Sequence, residues 1–483
     1  MLEELSHNLD QLFYPKSIAV VGASPRRGRV WSSGNSYLAG SMEQDFQGRL
    51  FPVHPKAETI LGFKSYRSIR DIPYEIDLVI FTVPSSVVLQ VMEDCVKQGV
   101  KFVHLLTAGF SETGREEYAG IEKELIDIAK KGSIGIIGPN CMGVYCPEGG
   151  LSWSSTFSTI PGSISFFSQS GQLAGNFVQK GSNEKLRFSK VVSFGNASGL
   201  QAHDFLNYFA KDEKTKIIGS YIEGLKDGRA FFEAARDITR TKPLVVWKGG
   251  QTEGGSRATQ SHTAAIAGSP EIWRGFCKQV GIIPVHSIDE LVFTVSGLER
   301  LPMPRGTKVA ILGGGGGGSV TMTDIAEKEG LKVPHLSGES IASLEKFVPL
   351  EGSSAKNPLD IIPALRDNKN FLQLITLLRD DPNIDALIFT IPLGIFYNEL
   401  GRSGFSELIK LTIEAQNMLE KPLLTVFERD QEPHIDALQK EAKEWYYDAQ
   451  IATFPSFELA ARVLVRMKEY RDFLVSKSCN ESE

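Results

Sequence analysis

Covalent cross-links have almost nothing to work with in this chain of 483 residues. Its five cysteines, Cys95, Cys141, Cys146, Cys277 and Cys479, are odd in number, widely scattered and without a C-x-x-C pair. That excludes a disulfide framework and a structural zinc site, and it fits a reducing compartment. A basic excess is missing too: 52 Lys and Arg stand against 58 Asp and Glu, a formal charge of −6. With no cationic surplus for a phosphate backbone, no nucleic-acid partner is expected. The opening MLEELSHNLDQLFYPKS carries acids where a signal peptide needs bases, and it lacks an apolar h-region. No run approaches the roughly 20 apolar residues of a membrane span. A soluble cytoplasmic protein with no membrane partner is the expectation. His54, His104, His203, His286, His335 and His434 form no metal-ligand pattern, so they are read as structural, with no bound metal in this chain. No P-loop occurs, and the turn at Gly22 after the first apolar run lacks the G-x-G-x-x-G spacing, which weakens a dinucleotide reading.

What is present is ordinary globular material, 42% hydrophobic and 23% charged, with 46 glycines clustered just after apolar runs. Length alone favours about three domains at ~100–200 residues each. Short apolar runs alternate with Gly/Ser turns and segments of helical period, the signature of βα units on a parallel sheet. The first set of runs begins at Ser17, Leu50, Asp77, Phe102 and Ile134, and the second at Ser163, Lys190, Lys216, Leu244 and Gly281. A third set begins at Lys308, Asp385 and Pro422 and closes with a helix over 456–475. The expected fold class is α/β, with three doubly wound domains in series over 1–148, 149–301 and 302–483. Leu301-Pro-Met-Pro-Arg-Gly306 reads as a linker, because two prolines and a glycine forbid a continuous helix.

Candidate ligand loops follow the runs. Gly22-Ala-Ser24 leaves the first one, where a doubly wound sheet offers a helix start to phosphates, and Arg26, Arg27 and Arg29 crowd the same turn. Val53-His-Pro-Lys56 and Thr82-Val-Pro84-Ser-Ser86 follow two neighbouring runs. Gly138-Pro-Asn140-Cys-Met-Gly143 combines an irregular backbone with a side chain, Asn140, that donates and accepts. Ser168-Gln-Ser170-Gly171 stands between a strand and a helical segment, and Gly249–His262, GGQTEGGSRATQSH, reads as a mobile loop. Each has a bland alternative as a plain turn, and His262 taken alone is an ordinary polar loop residue.

Taken together, the Gly22-Ala-Ser24 turn, Gly138–Gly143, Ser168–Gly171 and Ser261-His-Thr-Ala-Ala-Ile-Ala-Gly-Ser269 occur in the order found in nucleoside-diphosphate-forming acyl-CoA synthetases. The chain resembles their α subunit over essentially its whole length and, more distantly, that of succinyl-CoA synthetase. The resemblance implies a Rossmann-like CoA-binding domain followed by two flavodoxin-like ligase domains. It implies an acid–CoA ligase (ADP-forming) in which acyl-CoA, ADP and phosphate interconvert with a carboxylic acid, CoA and ATP. His262 would take and hand on the phosphoryl group, since imidazole is nucleophilic near pH 7 and its phosphoramidate remains reactive. Glu223, in Tyr221-Ile-Glu-Gly224, would hold the other ring nitrogen. Ser170 and Gly171 would bind phosphate at a helix start. CoA would be held by Gly22, Ala23, Ser24, Lys56, Pro84 and Asn140.

The run Gly313–Gly318 reads equally as a contributor to the acyl or phosphate site or as a flexible turn, and Asn357-Pro-Leu-Asp360 matches a signature of the same family, read as structural at a turn with Asp360 as the functional alternative. The sequence ends without the ~200 further residues an ATP-grasp domain needs. ATP or ADP with magnesium is therefore expected on a separate ATP-grasp β subunit, with α2β2 assembly implied by the family. Two other readings stay open: a non-catalytic CoA-binding regulatory module, and an NAD-dependent dehydrogenase built on the first domain.

Overall fold

The runs rich in valine, isoleucine and phenylalanine become strands buried on both faces, as parallel sheets covered by helices require. The computed structural model describes residues 8–25, 34–263, 269–348, 354–360, 367–391, 393–428 and 433–480. It divides into two compact units, residues 1–291 and 292–483. Arg26, Arg27 and Arg29 lie outside the described residues.

The first unit carries two sheets. One is fully parallel, in the order Arg49–Val53, Ser17–Val21, Leu78–Phe81, Phe102–Leu105, Gly135–Ile137. The strand order reverses between Ser17–Val21 and Leu78–Phe81, so a crevice opens there at the carboxyl ends. The other sheet runs Ile283–Val285, Leu244–Lys248, Ile217–Ile222, Ile164–Ser168, Phe188–Ser193, Gly143–Tyr145. Its last strand alone is antiparallel. Its reversal point falls between Ile164–Ser168 and Ile217–Ile222, which places Ser168–Gly171 beside Glu223. The antiparallel strand was not anticipated. Gly143–Tyr145 lies on the first-domain side of the expected boundary at 148, yet it pairs Val192 with Val144 in the second sheet.

Two features weld these sheets. The helical turn Asp10–Phe13, which precedes the first sheet, packs on the helix Ala202–Lys211, with Tyr208 donating to Asp10 Oδ1 at 2.6 Å and Phe13 stacked on Tyr208. Beneath them the ammonium of Lys190, fully buried, meets Asp212 at 2.8 Å and is surrounded by the rings of Phe13, Tyr14 and Tyr208. The second feature is the loop Gly138–Gly143, where Gly138, Asn140 and Gly143 all take positive φ. His104 props it: Nε2 donates to the Cys141 carbonyl at 3.0 Å, and the imidazole lies so close to Gly143 that a Cβ there would stand 2.4 Å from it.

The second unit has a parallel sheet in the order Val309–Leu312, Ala386–Thr390, Leu423–Val426, Thr453–Phe454. A bridge from Lys308 to Lys332 marks the outer edge. Separate apolar clusters cover the two faces, one built on Leu374, Leu387 and Phe405, the other on Ile311, Ile388 and Leu464. The closing helix is Phe457–Asn480. Asn357 fastens the sheet, accepting from Ile311 N and donating to Val309 O and Pro334 O, which is the structural role expected of it. Among the described residues no helix is long and apolar enough to cross a membrane.

Burial pushes the His104 imidazole down from 6.5 to about 4, the bond to Cys141 opposing in part. The unfolded chain protonates near pH 6.5 while the folded protein stays neutral to about pH 4. The unfolded state therefore binds more protons in that window, and folding stability falls as pH drops from 6.5 to 4, by about 3 kcal/mol. Urea unfolding at stepped pH should show this slope in the wild type, and His104→Gln should lose it.

Candidate active site

The chemistry-bearing loops of the second sheet gather at its reversal point. Strand Ile164–Ser168 ends in Ser168, whose hydroxyl accepts from Ser170 N and donates to Ser170 O, folding the chain back into the helix Gly171–Asn183. Ser170 caps that helix, its Oγ accepting from Leu173 N at 3.3 Å. As an acceptor the oxygen leaves its own proton available to a ligand. The first N–H groups of the helix have no intrahelical acceptor and carry the positive end of its dipole, the usual seat of an oxyanion. Gly171 is required for a second reason: a Cβ would stand 2.6 Å from Met142 Cγ. The phosphate-type turn and the loop Gly138–Gly143 thus meet face to face.

Glu223 follows the adjacent strand and is 7% exposed. Its oxygen Oε1 accepts from Tyr221 OH at 3.2 Å, and its own N–H, with that of Gly224, donates to Gln169 Oε1. Next in the sheet, Lys248 ends the strand Leu244–Lys248 and is nearly buried, donating to the carbonyls of Glu223 and Gly249, each at 2.6 Å. Burial lowers the Lys248 ammonium from its ordinary value, the Glu223 carboxylate opposing. Burial likewise pushes the Tyr221 hydroxyl well up, and Glu223 adds to it. Gly249 passes close above this pair, since a Cβ there would meet Tyr221 OH at 2.6 Å.

The segment after Gly249 corrects the expectation of a loop. Residues Glu253–Thr263 form a helix. Thr252 caps it through Oγ1 on Gly255 N, Glu253 pairs with Arg257 one turn on, and the helix packs on the turn Ser111–Thr113. Local capping and tertiary packing override glycine content here. The helix includes His262 in its last turn; the His262 side chain and residues 264–268 lie outside the described residues.

A polar seam backs the site. Asn196 donates to Glu112 Oε2 at 2.7 Å and Glu122 Oε2 at 3.3 Å and receives Asn140 Nδ2 at 3.5 Å. Ser198 donates to the buried Glu122, and Lys226 donates to Ser198 at 3.4 Å. The backbones of Asn196 and Ser198 donate to Pro139 O and Gly138 O.

The remaining candidates lie along the carboxyl edge of the first sheet. Gly22, at φ +97°, abuts the Thr82 carbonyl, where a Cβ would stand 2.7 Å away. Ala23 is buried, and Asn35 holds Ser24 by its N–H and carbonyl. Pro84 opens the turn Ser85–Val87, and Lys56 is exposed after Val53, its N–H on His54 Nδ1. Bonds from Thr82 N to Val21 O, Thr107 Oγ1 to Val83 O and Asn140 N to Thr107 O tie this edge together. Gly22, Ala23, Ser24 and Pro84 flank one crevice, Lys56 stands in the loop after the neighbouring strand Arg49–Val53, and Asn140 faces the seam. Cys141 is buried and its thiol is pushed well up by burial, so it is no nucleophile at neutral pH. In the second unit Gly313–Gly315 take positive φ and lead into the helix Gly315–Lys328, with open space above Gly316, Gly317 and Gly318. Among the described residues no cluster could hold a metal ion.

Gln169, Lys248, Asn196 and Glu122 were not anticipated. A signal existed for Lys248 alone, a lysine closing the apolar run Leu-Val-Val-Trp.

Two family models match: a CoA binding domain over residues 16–147 and a succinyl-CoA ligase-like flavodoxin domain over residues 161–298. The α subunit of ADP-forming acetate–CoA ligase II from Pyrococcus furiosus is 38% identical over 87% of this chain and 90% of its own. ADP-forming acetate–CoA ligase II from Archaeoglobus fulgidus is also 38% identical, over 74% of this chain, and the match spans 52% of that longer protein. The structure of acetyl-coenzyme A synthetase 1 from Ca. Korarchaeum cryptofilum, in complex with phosphate and ADP, superposes with a TM-score of 0.81 at 31% identity, covering 97% of this chain and 99% of that one. With two sheets matched in order and a related subunit covered nearly end to end, the chain belongs to the α-subunit family of ADP-forming acyl-CoA ligases.

Proposed function

We propose that this ligase subunit converts acyl-CoA and phosphate into a free carboxylic acid, CoA and a phosphohistidine at His262, and runs the same steps in reverse. The observation that carries the reading is the convergence, at one sheet edge, of the Ser170-capped helix start, the buried Glu223 and the strand end from which the His262 helix departs. Phosphate sits on the N–H groups at Gly171 with the Ser170 hydroxyl as a further donor. A phosphate oxygen attacks the thioester carbonyl carbon, the C–S bond breaks, and CoA leaves as the thiol once its sulfur takes a proton. The imidazole of His262 then attacks phosphorus, and the P–O bond to the acyl oxygen breaks to release the carboxylate. Glu223 accepts a hydrogen bond from the other ring N–H, fixing the tautomer and favouring the cationic ring that forms.

Lys248 keeps Glu223 in place from behind, through the Glu223 and Gly249 carbonyls. Gly22, Ala23, Ser24, Lys56, Pro84 and Asn140 hold CoA along the first sheet, whose crevice lies across the loop Gly138–Gly143 from the phosphate. The nucleotide and its magnesium belong to a partner subunit of ATP-grasp type, to which the phosphorylated His262 is carried. The substrate acid is a small carboxylic acid.

Incubating the purified chain with an acyl-CoA and radiolabelled phosphate tests this without any nucleotide. Acid-labile, base-stable label should appear on the wild type and vanish in His262→Ala, with CoA affinity within about twofold of wild type. Label surviving in that variant would overturn the mechanism. Glu223→Gln should slow labelling by about 10–100-fold, the usual cost of losing a carboxylate behind a working histidine, while leaving the apparent KM for acyl-CoA little changed.

A further inference from the structure

We propose that Met142 sets the length of acyl chain this subunit accepts, its thioether side chain closing the acyl pocket over the first residue of the helix Gly171–Asn183. The proposal rests on the reading that phosphate binds at that helix start. Phosphate oxygen and acyl carbon must approach to ~3–3.5 Å before they react, so whatever the acyl carbon carries lies within a few ångströms of Gly171. Met142 occupies that space. A Cβ on Gly171 would stand 2.6 Å from its Cγ and 3.5 Å from its Cβ, and the residue is only half-buried, as a pocket wall must be.

Its backbone is fixed from a strand of the second sheet and from the helix Gly34–Glu43. The Met142 N–H donates to Ser193 Oγ at 3.1 Å, and its carbonyl accepts from Tyr37 OH at 3.2 Å. Exchanging the side chain therefore alters the pocket and leaves the frame in place. A second carboxylate on the acyl chain that met the Met142 thioether would lose its water without gaining a cation there. An unbranched thioether instead offers a soft apolar surface. The class implied is a short aliphatic monocarboxylic acyl group.

The test compares acetyl-, butyryl- and succinyl-CoA on the full chain by single-turnover labelling with radiolabelled phosphate and, independently of turnover, by their dissociation constants. Met142→Ala should raise the butyryl-to-acetyl ratio by about tenfold or more, within the range set by one or two methylenes in an apolar pocket. Met142→Leu, of similar volume, should hold the ratio within about twofold, and succinyl-CoA should be the poorest substrate of the wild type. A ratio unchanged in Met142→Ala, or succinyl-CoA as the preferred substrate, would overturn the proposal. If Met142→Ala does not fold, Met142→Phe decides: it should depress butyryl-CoA relative to acetyl-CoA, and an unchanged ratio counts against the proposal. Should the wild type take label from no acyl-CoA, the phosphohistidine reading fails, and the ratio of dissociation constants still decides the role of Met142.

Discussion

One close approach of two backbones governs the first unit. Gly195 lies so near the Pro139 carbonyl that a Cβ would stand 2.2 Å from it, and Asn196 and Ser198 donate their N–H groups to that same loop. No side chain fits in this contact, so the loop at the end of the first sheet and the loop at the end of the second are held backbone to backbone. The position of Met142 against Gly171 follows from it, and so does the distance between the crevice of the first sheet and the turn Ser168–Gly171. His104 supports the contact from below as a neutral imidazole, and Glu122 supports it from the side as a buried carboxylate that accepts from Asn196 and Ser198.

Much of this frame was legible in the sequence. Runs such as Leu78–Phe81, buried at every position, are apolar throughout because both faces meet helices, and continuous apolar runs bounded by Gly/Ser turns survive as a signal. Ser170 and Gly171 were legible because a serine cap and a following helical period have a local cause. Gly143–Tyr145 was not: three residues pairing antiparallel to a distant strand carry no periodicity of their own. Gln169 and Asn196 were equally silent, since each acts on the backbone or side chains of another element. Only the fold brings their partners near.

The helix Glu253–Thr263 shows the limit of composition most directly. Its glycines argue for a loop, yet Thr252 caps it, Glu253 and Arg257 pair along it, and the turn Ser111–Thr113 receives it. Glu223 and Lys248, by contrast, are locked into the sheet. The site therefore sets a carboxylate locked into the sheet beside a helix held by its cap, its own ion pair and a short turn.

The strand Gly143–Tyr145 carries a consequence for how substrates enter. Five residues after leaving the first sheet at Ile137, the chain is hydrogen-bonded into the second. Two-lobed enzymes commonly clamp their ligands by rotating one lobe about a flexible connection; here the connection is itself part of the sheet, and rotation would tear its ladder. The lobes form a single anvil. Ligands must reach it along the carboxyl edges, and exclusion of water falls to whatever lands on top.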